Sequence, residues 1–300
     1  MTTAVLEKEL EYIAGVREDK FRPEKFREIF GPLVTSDGMP AWMQSYTVHK
    51  VVDYASLVPT QYTSGDLPQP SFEKLGFSFP VVEYGCAFTV YNRELDRAAA
   101  TGIRADTRKA TANDRAKEQL LDTLACVGST LTGIPGLCNN ADVDTVTAIT
   151  KAGTGTTWGV ATAEEIVEDC MNLIDDIPND SLENTSEGSV DLILPLAQRR
   201  LLYSLQDANG RTAEEVLRAN NPYIRRILTW NRLSVLGAGV TPRAVAADLT
   251  REETAKFLLL QDLTDDAPRS VDRGYKVVQT LVTGGVISED PTGIAYMDAL

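Results

Sequence analysis

Two strand-like stretches, residues 41–52 and 71–82, enclose a segment that cannot be a regular core element. The enclosed residues, 56–71, contain three prolines, one glycine and several small polar residues. This composition favours an extended, turn-rich connection over a buried strand or helix. The pattern therefore predicts a β-arm that projects from the body of the protein. Projecting segments of this kind commonly carry contacts with another molecule.

A long helix is predicted after the arm. Asp106 can cap a helix that runs to about Val127, which at 1.5 Å per residue is roughly 33 Å long. Gly128 is expected to end this helix in a left-handed conformation. The predicted buried stripe, whose residues recur at helical spacing, consists of Ala116, Leu120, Leu124 and Val127.

The C-terminal part of the chain is predicted to form strands. Tyr275–Thr283 alternates well, Gly284-Gly285 is predicted to form a turn, and Val286 is predicted to begin a return strand. Strands on both sides of a central insertion predict a discontinuous domain, built from residues of about 80–140 and 245–300.

The insertion changes charge sign along its length. Between Ala152 and Gln198 there are ten acidic residues and no basic one, whereas from Arg199 to Arg232 there are seven arginines and three acids. We predict that the acidic surface of one copy meets the basic surface of the next, because such head-to-tail contacts close into rings. The predicted contact residues are Arg199, Arg200, Arg225, Arg226, Glu164, Glu165, Asp175 and Asp176, with Asp66 and Glu94 as further candidates.

The sequence predicts no catalytic residue, metal site or cofactor. The zinc pattern H-E-x-x-H, the Walker A pattern and the nucleophile elbow G-x-S-x-G are all absent. The single histidine, His49, lies in a strand-like run, where a strand-face side chain is the simplest interpretation. The four cysteines form no C-x-x-C pair, so we predict reduced thiols. These motifs therefore select no catalytic site, and an enzyme that uses carboxylates remains an open alternative at this point.

Charge and hydropathy exclude two further classes. The formal net charge of −14 argues against a protein whose main task is to grip nucleic acid through its phosphates. No apolar run approaches the ~18 residues that a transmembrane helix needs, so no membrane contact is predicted. The N-terminus mixes charged and apolar residues from Glu7 onward and is not a signal peptide.

Five short motifs, taken in order, resemble one protein family. They are Gly65–Pro68 (GDLP), Tyr91–Ala99 (YNRELDRAA), Gly133–Asn140 (GIPGLCNN), Gly284–Val286 (GGV) and Pro291–Tyr296 (PTGIAY). Their order and spacing resemble the major capsid proteins of tailed double-stranded DNA bacteriophages, which have the Hong Kong 97 type fold shared with encapsulin shells. The resemblance covers nearly the whole chain.

The resemblance implies an α+β capsid fold of four parts. These are an N-terminal arm (residues 1–40), an E-loop β-arm (41–82), a peripheral domain with a spine helix at about 106–127 (83–140 and 245–300) and an inserted axial domain (141–244). Axial domains would meet at capsomer centres, and the change of charge sign falls inside this insertion.

The resemblance also implies function and partners. Copies would assemble into pentamers and hexamers of an icosahedral shell that encloses DNA, held non-specifically because the subunit is acidic. Scaffolding, portal and decoration proteins are implied partners, the bacterial cytoplasm is the implied place of assembly, and the virion is the implied destination. No membrane partner is implied.

Two alternative functions compete with this interpretation, and a covalent cross-link between copies is a further question. An encapsulin-type shell would package cargo enzymes instead of DNA, and an unrelated soluble enzyme would use carboxylates. Some members of the fold join an E-loop lysine to an asparagine of a neighbour. Here residues 54–70 contain no lysine, and only Lys50 and Lys74 flank them, so we expect no such cross-link.

Overall fold

The computed structural model describes residues 25–54, 71–101, 105–151, 155–181, 184–237, 241–298 and 300. Asp66 and the tip of the predicted arm lie outside the described residues, as does the N-terminal arm up to residue 24. No helix within the described ranges is both long and apolar enough to span a membrane.

Six α-helices occur in the described residues. They are α1 (Phe26–Phe30), α2 (Asn92–Thr101), α3 (Ala105–Cys126), α4 (Ala163–Asp180), α5 (Leu196–Ser204) and α6 (Ala213–Asn220). Short 3-10 helices lie at Gly31–Leu33, Trp158–Val160, Asn231–Val235 and Pro291–Gly293. The predicted long helix is confirmed as α3, and Gly128 follows it with φ 73°, the left-handed conformation expected at a helix end.

The buried face of α3 is displaced by about one residue from the predicted stripe. Leu121, Leu124 and Ala125 are fully buried, whereas Leu120 is half-buried and Ala116 is exposed. The prediction of a buried apolar stripe on this helix is therefore confirmed, but the residues that form it lie about one position later in the sequence. The reason is that the helix is covered along its C-terminal half by α1 and by the strands beneath it.

Fourteen strands occur in the described residues. They are β1 (Val34–Thr35), β2 (Ser45–Tyr54), β3 (Ser71–Pro80), β4 (Val82–Tyr91), β5 (Gly128–Ser129), β6 (Ile134–Pro135), β7 (Thr145–Val146), β8 (Val190–Leu194), β9 (Ile224–Thr229), β10 (Arg243–Asp248), β11 (Lys256–Asp265), β12 (Arg269–Val271), β13 (Gly274–Ile287) and β14 (Ile294–Asp298).

The strands form two five-stranded sheets and two hairpins. In the first sheet β13 is the long central strand, paired with β4 along one side and with β11 and β12 along the other, while β1 extends the sheet beyond β11. The second sheet has the order β7-β14-β10-β8-β9. Its last strand in sequence, β14, thus pairs beside the strands of the insertion and not within the first sheet.

The turn predicted at Gly284-Gly285 is wrong, because β13 runs through both residues without a break. Leu258 pairs with Gly285 and Leu259 pairs with Thr283, so Gly284 is an extra residue in a β-bulge. Gly285 has φ 68°, and a Cβ atom there would lie 2.2 Å from Cγ2 of Ile134. The glycines therefore serve a bulge and a close packing contact.

Two apolar cores hold the elements together. The first lies between α1, α3, the first sheet and one face of the second sheet, and it includes Phe26, Phe257 and Val245. The second lies between α4, α6 and the second sheet and includes Ile166, Leu192 and Leu217. The second sheet is thus buried on both faces, since alternate residues of its strands enter the first and the second core.

Candidate functional site

The most prominent candidate surface is the hairpin of β2 and β3, here called the arm. Its ten residue pairs run in register from Ser45 with Pro80 to Tyr54 with Ser71. Among the described residues, β2 and β3 pair only with each other. The predicted β-arm is thus confirmed for its two strands. His49 lies on β2 as predicted, opposite Gly76.

The arm exposes apolar side chains that a free-standing protein would bury. Trp42, just before β2, is 81% exposed and Phe72 is 77% exposed, and Val51 and Phe77 are also exposed. Val51 and Phe72 lie on one face of the ribbon and Phe77 on the other, because side chains alternate along a strand. Exposed aromatic residues grouped on one projecting element are typical of a contact surface.

The outer side of α4 carries an acidic ridge, defined as Glu164, Glu168, Asp176 and Asp180. Glu164 and Glu168, and likewise Asp176 and Asp180, are four residues apart, so the members of each pair are neighbours on the helix surface. None of the four forms an ion pair with a described residue. Burial raises the pKa of Asp176, and the nearby carboxylates of Asp180 and Asp144 raise it further. The ridge thus consists of two acidic pairs, one toward each end of α4, without a counter-charge among the described residues.

Two other predicted acidic contact residues are already engaged inside the chain. Glu165 closes a capping box with Thr162: its backbone N–H donates to Thr162 Oγ1 at 3.3 Å, and its carboxylate accepts from the Thr162 N–H at 2.8 Å. Asp175 accepts a hydrogen bond from Asn221 Nδ2 at 2.8 Å.

Arg225 and Arg226 both bind one buried carboxylate, that of Asp191. Nε of Arg225 lies 2.8 Å and Nε of Arg226 lies 3.1 Å from Asp191 Oδ1. Successive strand residues normally point to opposite faces, but here a register shift lets both side chains reach the same partner. Arg226 also donates to the carbonyl oxygens of Glu28 and Ile29, each at 3.4 Å, and so ties α1 to β9.

Arg199 is also an internal residue. It is buried, and its NH2 group lies 3.1 Å from Glu214 Oε2, while its guanidinium stacks over Tyr203 at 4.5 Å from the ring centroid. Arg218 shares the same carboxylate at 2.9 Å. The structure therefore places Arg199, Arg225 and Arg226 in ion pairs within one subunit.

Arg200 is the predicted basic contact residue that remains exposed and without a described partner. Leu196 and Tyr203 lie on the same exposed face of α5, at the i, i+4, i+7 spacing of one helix side. We call these three residues the basic face. The sequence analysis missed Leu196 and Tyr203, although their spacing from Arg200 could have revealed them.

Two predicted contact residues remain, Glu94 and Asp66, and only Glu94 is among the described residues. Glu94 accepts from the Tyr91 N–H at 3.1 Å and from Lys109 Nζ at 2.7 Å, so it joins α2 to α3. Asp66 lies outside the described residues. Among those that the structure describes, no group of three or more histidine, cysteine, aspartate or glutamate residues is arranged to hold a metal ion.

Comparison with known proteins identifies the fold. A family model described as major capsid protein matches residues 63–300. The capsid of Myoviridae phage XM1 superimposes with a TM-score of 0.82 at 16% identity, covering 98% of both chains. The capsid of the native GTA particle gives 0.62 at 11% identity over 99% of both chains, and Mycobacterium phage Bobi gives 0.61 at 12% identity over 97% of both.

No curated protein sequence matches the chain. At such low identities the structural likenesses speak for the fold, and they confirm the α+β fold of Hong Kong 97 type that the motifs implied.

Proposed function

The chain belongs to the major capsid protein family, and from this premise we propose that its copies assemble into pentamers and hexamers that close an icosahedral shell around double-stranded DNA. It is a structural shell protein and not an enzyme. The shell is built by contacts between copies, so the surfaces described above are the functional site.

The observation that carries this proposal is the projecting arm. A two-stranded hairpin is marginally stable on its own in water, and this one exposes aromatic side chains to solvent. Both features are explained if the arm lies on a neighbouring copy, which would bury Trp42 and Phe72. Burying a large apolar side chain contributes roughly 1.5–3 kcal/mol, so a few such residues per copy suffice for a strong contact.

The basic face and the acidic ridge supply the contact between neighbours within one capsomer. One copy presents Arg200 with its apolar neighbours Leu196 and Tyr203, and the next presents Glu164 and Glu168. Because α6 packs against both α4 and α5, each copy carries both surfaces on one compact unit. Two different surfaces that fit each other form a head-to-tail contact, which closes into a ring.

Arg225 and Arg226 are engaged within the subunit. Their guanidinium groups share the carboxylate of Asp191 at the edge strand β9, and the carboxylate of Asp248 also attracts Arg225. Their first role is to hold the fold, and they are unsuitable for testing assembly by charge reversal.

Further partners belong to the same proposal. Packaged DNA is held without sequence preference, because a subunit of net charge −14 does not bind phosphates tightly. Scaffolding, portal and decoration proteins act with the shell, and assembly takes place in the cytoplasm of the bacterial host.

Electron microscopy of the purified full-length chain, with light scattering alongside, tests the proposal. Closed shells, or rings of five and six copies, are expected, and nucleic acid inside particles made in cells would separate a virion shell from one that packages cargo enzymes. A monomer at high concentration across a range of salt would count against it.

Charge-swap variants test the ring contact itself. Arg200→Glu should weaken assembly strongly, whereas Arg200→Lys, which keeps the charge, should assemble nearly as well as the parent. Adding Glu164→Arg to Arg200→Glu restores the opposite charges and should recover assembly. Assembly by Arg200→Glu equal to that of the parent would refute this contact.

A further inference from the structure

The ammonium group of Lys256 connects the arm to the body of the subunit. Lys256 begins β11, and its side chain is only 8% exposed. Its Nζ atom lies 2.9 Å from Asp37 Oδ2, 2.9 Å from the Tyr46 hydroxyl and 3.1 Å from Glu289 Oε1. An ammonium group has three N–H donors, and each of them has an acceptor here.

The partners of Lys256 come from both sides of the joint. Asp37 lies in the segment that leads into the arm, and Tyr46 lies on β2 of the arm itself. Lys256 and Glu289 belong to the first sheet and to the residues just after β13. The Tyr46 hydroxyl donates to Asp37 Oδ2 at 2.9 Å, so the arm residues are also bound to each other.

The backbone of Asp37 is in the left-handed conformation, and the Asp37 carboxylate accepts from Lys256. Its φ of 49° is in the left-handed region, which is uncommon for residues other than glycine. Thr35 stabilises this turn, because its Oγ1 accepts from the Asp37 N–H at 3.0 Å and donates to Asp37 Oδ1 at 3.1 Å. The acceptor for Lys256 is therefore fixed before the arm begins.

Apolar contacts make up the rest of the joint. Val81, the single residue between β3 and β4, packs with Leu258, Val282 and Ile287, and Phe79 packs against this cluster from the arm. Apolar burial is not directional, so these contacts hold the arm to the body without fixing its angle. Hydrogen bonds to a buried ammonium group are directional, and they can fix it.

We propose that Lys256 is a positioning residue that sets the angle between the arm and the body. Without its charge, the carboxylates of Asp37 and Glu289 would face each other with no cation between them. The arm base, residues 36–46 and 78–82, would then open. The consequence for shell geometry rests on the proposed function, because the arm angle decides where Phe72 meets a neighbour. The positioning role itself involves one chain only.

Hydrogen–deuterium exchange of the full-length chain tests this role at the arm base, residues 36–46 and 78–82. Lys256→Met keeps the length and apolar stem of the side chain and removes the charge, while Tyr46→Phe removes only one hydroxyl. Lys117→Met is the matched control, because Lys117 is a similarly shielded lysine whose partners, Glu118 and Asp262, both lie on the body. All variants are compared in the same oligomeric state.

We expect the arm base to exchange at least about 10-fold faster in Lys256→Met, which corresponds to ~1.4 kcal/mol of lost local stability. Tyr46→Phe should give a smaller increase at the same residues, and α3 should exchange at the parental rate in both. Lys117→Met should leave the arm base unchanged.

Unchanged exchange at the arm base in both Lys256→Met and Tyr46→Phe would overturn the positioning role. If Lys256→Met fails to fold, Tyr46→Phe decides the question alone. Failure of the parent chain to form shells would defeat the proposed function and leave this result standing, because the exchange measurement needs no second copy.

Discussion

Asp122 joins three separated segments of the chain, and its removal should destabilise the subunit more than any exposed charge can. The side chain lies on α3 and only 5% of the residue is exposed. Its Oδ1 atom accepts from the backbone N–H groups of Lys25 at 3.0 Å and Phe26 at 3.2 Å, and from Trp230 Nε1 at 3.1 Å. Its Oδ2 atom accepts from Arg232 Nε.

The expected magnitude follows from what each substitution leaves behind. Asp122→Ala removes the acceptor for all four donors and leaves the buried Trp230 indole N–H unpaired, which costs about 1–3 kcal/mol by itself. The buried Phe26 N–H also loses its acceptor, whereas the Arg232 side chain is 37% exposed and can be hydrated, so we expect a total of about 2–4 kcal/mol. Asp122→Asn keeps one oxygen acceptor and loses the charge, so about 1–2 kcal/mol is expected.

Guanidinium unfolding followed by tryptophan fluorescence measures these differences, and Trp230 reports from the site. Asp262→Ala is the control, because Asp262 also forms an ion pair, with Lys117 at 3.1 Å, but its side chain is 55% exposed. Exposed pairs contribute about 0–1 kcal/mol. If Asp122→Ala and Asp262→Ala lowered the free energy of unfolding equally, the reasoning about burial would be refuted.

Three other predictions follow from the same contacts. Gly285→Ala should lower the free energy of unfolding by roughly 2–4 kcal/mol, since it combines a left-handed backbone with overpacking against Ile134. In unfolding titrations the double variant with Ile134→Ala should lose less than the sum of the two single losses, because the overpacking is relieved. In native protein at neutral pH, thiol reagents should modify only Cys86, and slowly, because burial raises its pKa, whereas denatured protein should yield all four thiols. Burial of Asp37 raises its pKa, but hydrogen bonds from Lys256 and Tyr46 outweigh burial and hold the pKa below its usual value. The resulting stabilisation is complete above the pKa of Asp37 in the unfolded chain and is lost as the pH falls through its pKa in the folded chain. Exchange at the arm base, corrected for the intrinsic rate, should therefore be constant from pH 5 to 8 and rise below about pH 4.

Local patterns predicted the elements whose causes are local. The strands of the arm and α3 follow from alternation, helical spacing and turn formers. The bulge at Gly284 could not be found in this way. Its cause is the contact of Gly285 with Ile134, about 150 residues earlier in the chain, and two adjacent glycines in sequence are equally typical of a turn.

The charged site was predicted only in part because charge counted along a sequence ignores pairing in space. Six of the seven arginines between residues 199 and 232 bind carboxylates of their own subunit. The six are Arg199, Arg211, Arg218, Arg225, Arg226 and Arg232. Their partners include Asp191 and Asp122, which lie outside the basic stretch, so the count overstated the charge available to a neighbour. Of the four arginines predicted as contact residues, Arg200 alone is exposed and has no described partner.

Buried carboxylates therefore divide the charges of this subunit into two groups with different tasks. Asp122, Asp169 and Asp191 each bind donors from distant segments; Asp169, for example, accepts from Trp158 Nε1 at 2.8 Å and from the Ile149 N–H at 2.8 Å. Such pairs are costly to bury and directional, so they fix geometry more than they add stability. The acidic ridge on α4 has no partner of this kind in the described part of the chain. In the described part of the chain no cation neutralises these carboxylates, so the proposed head-to-tail neighbour that offers Arg200 would relieve their repulsion.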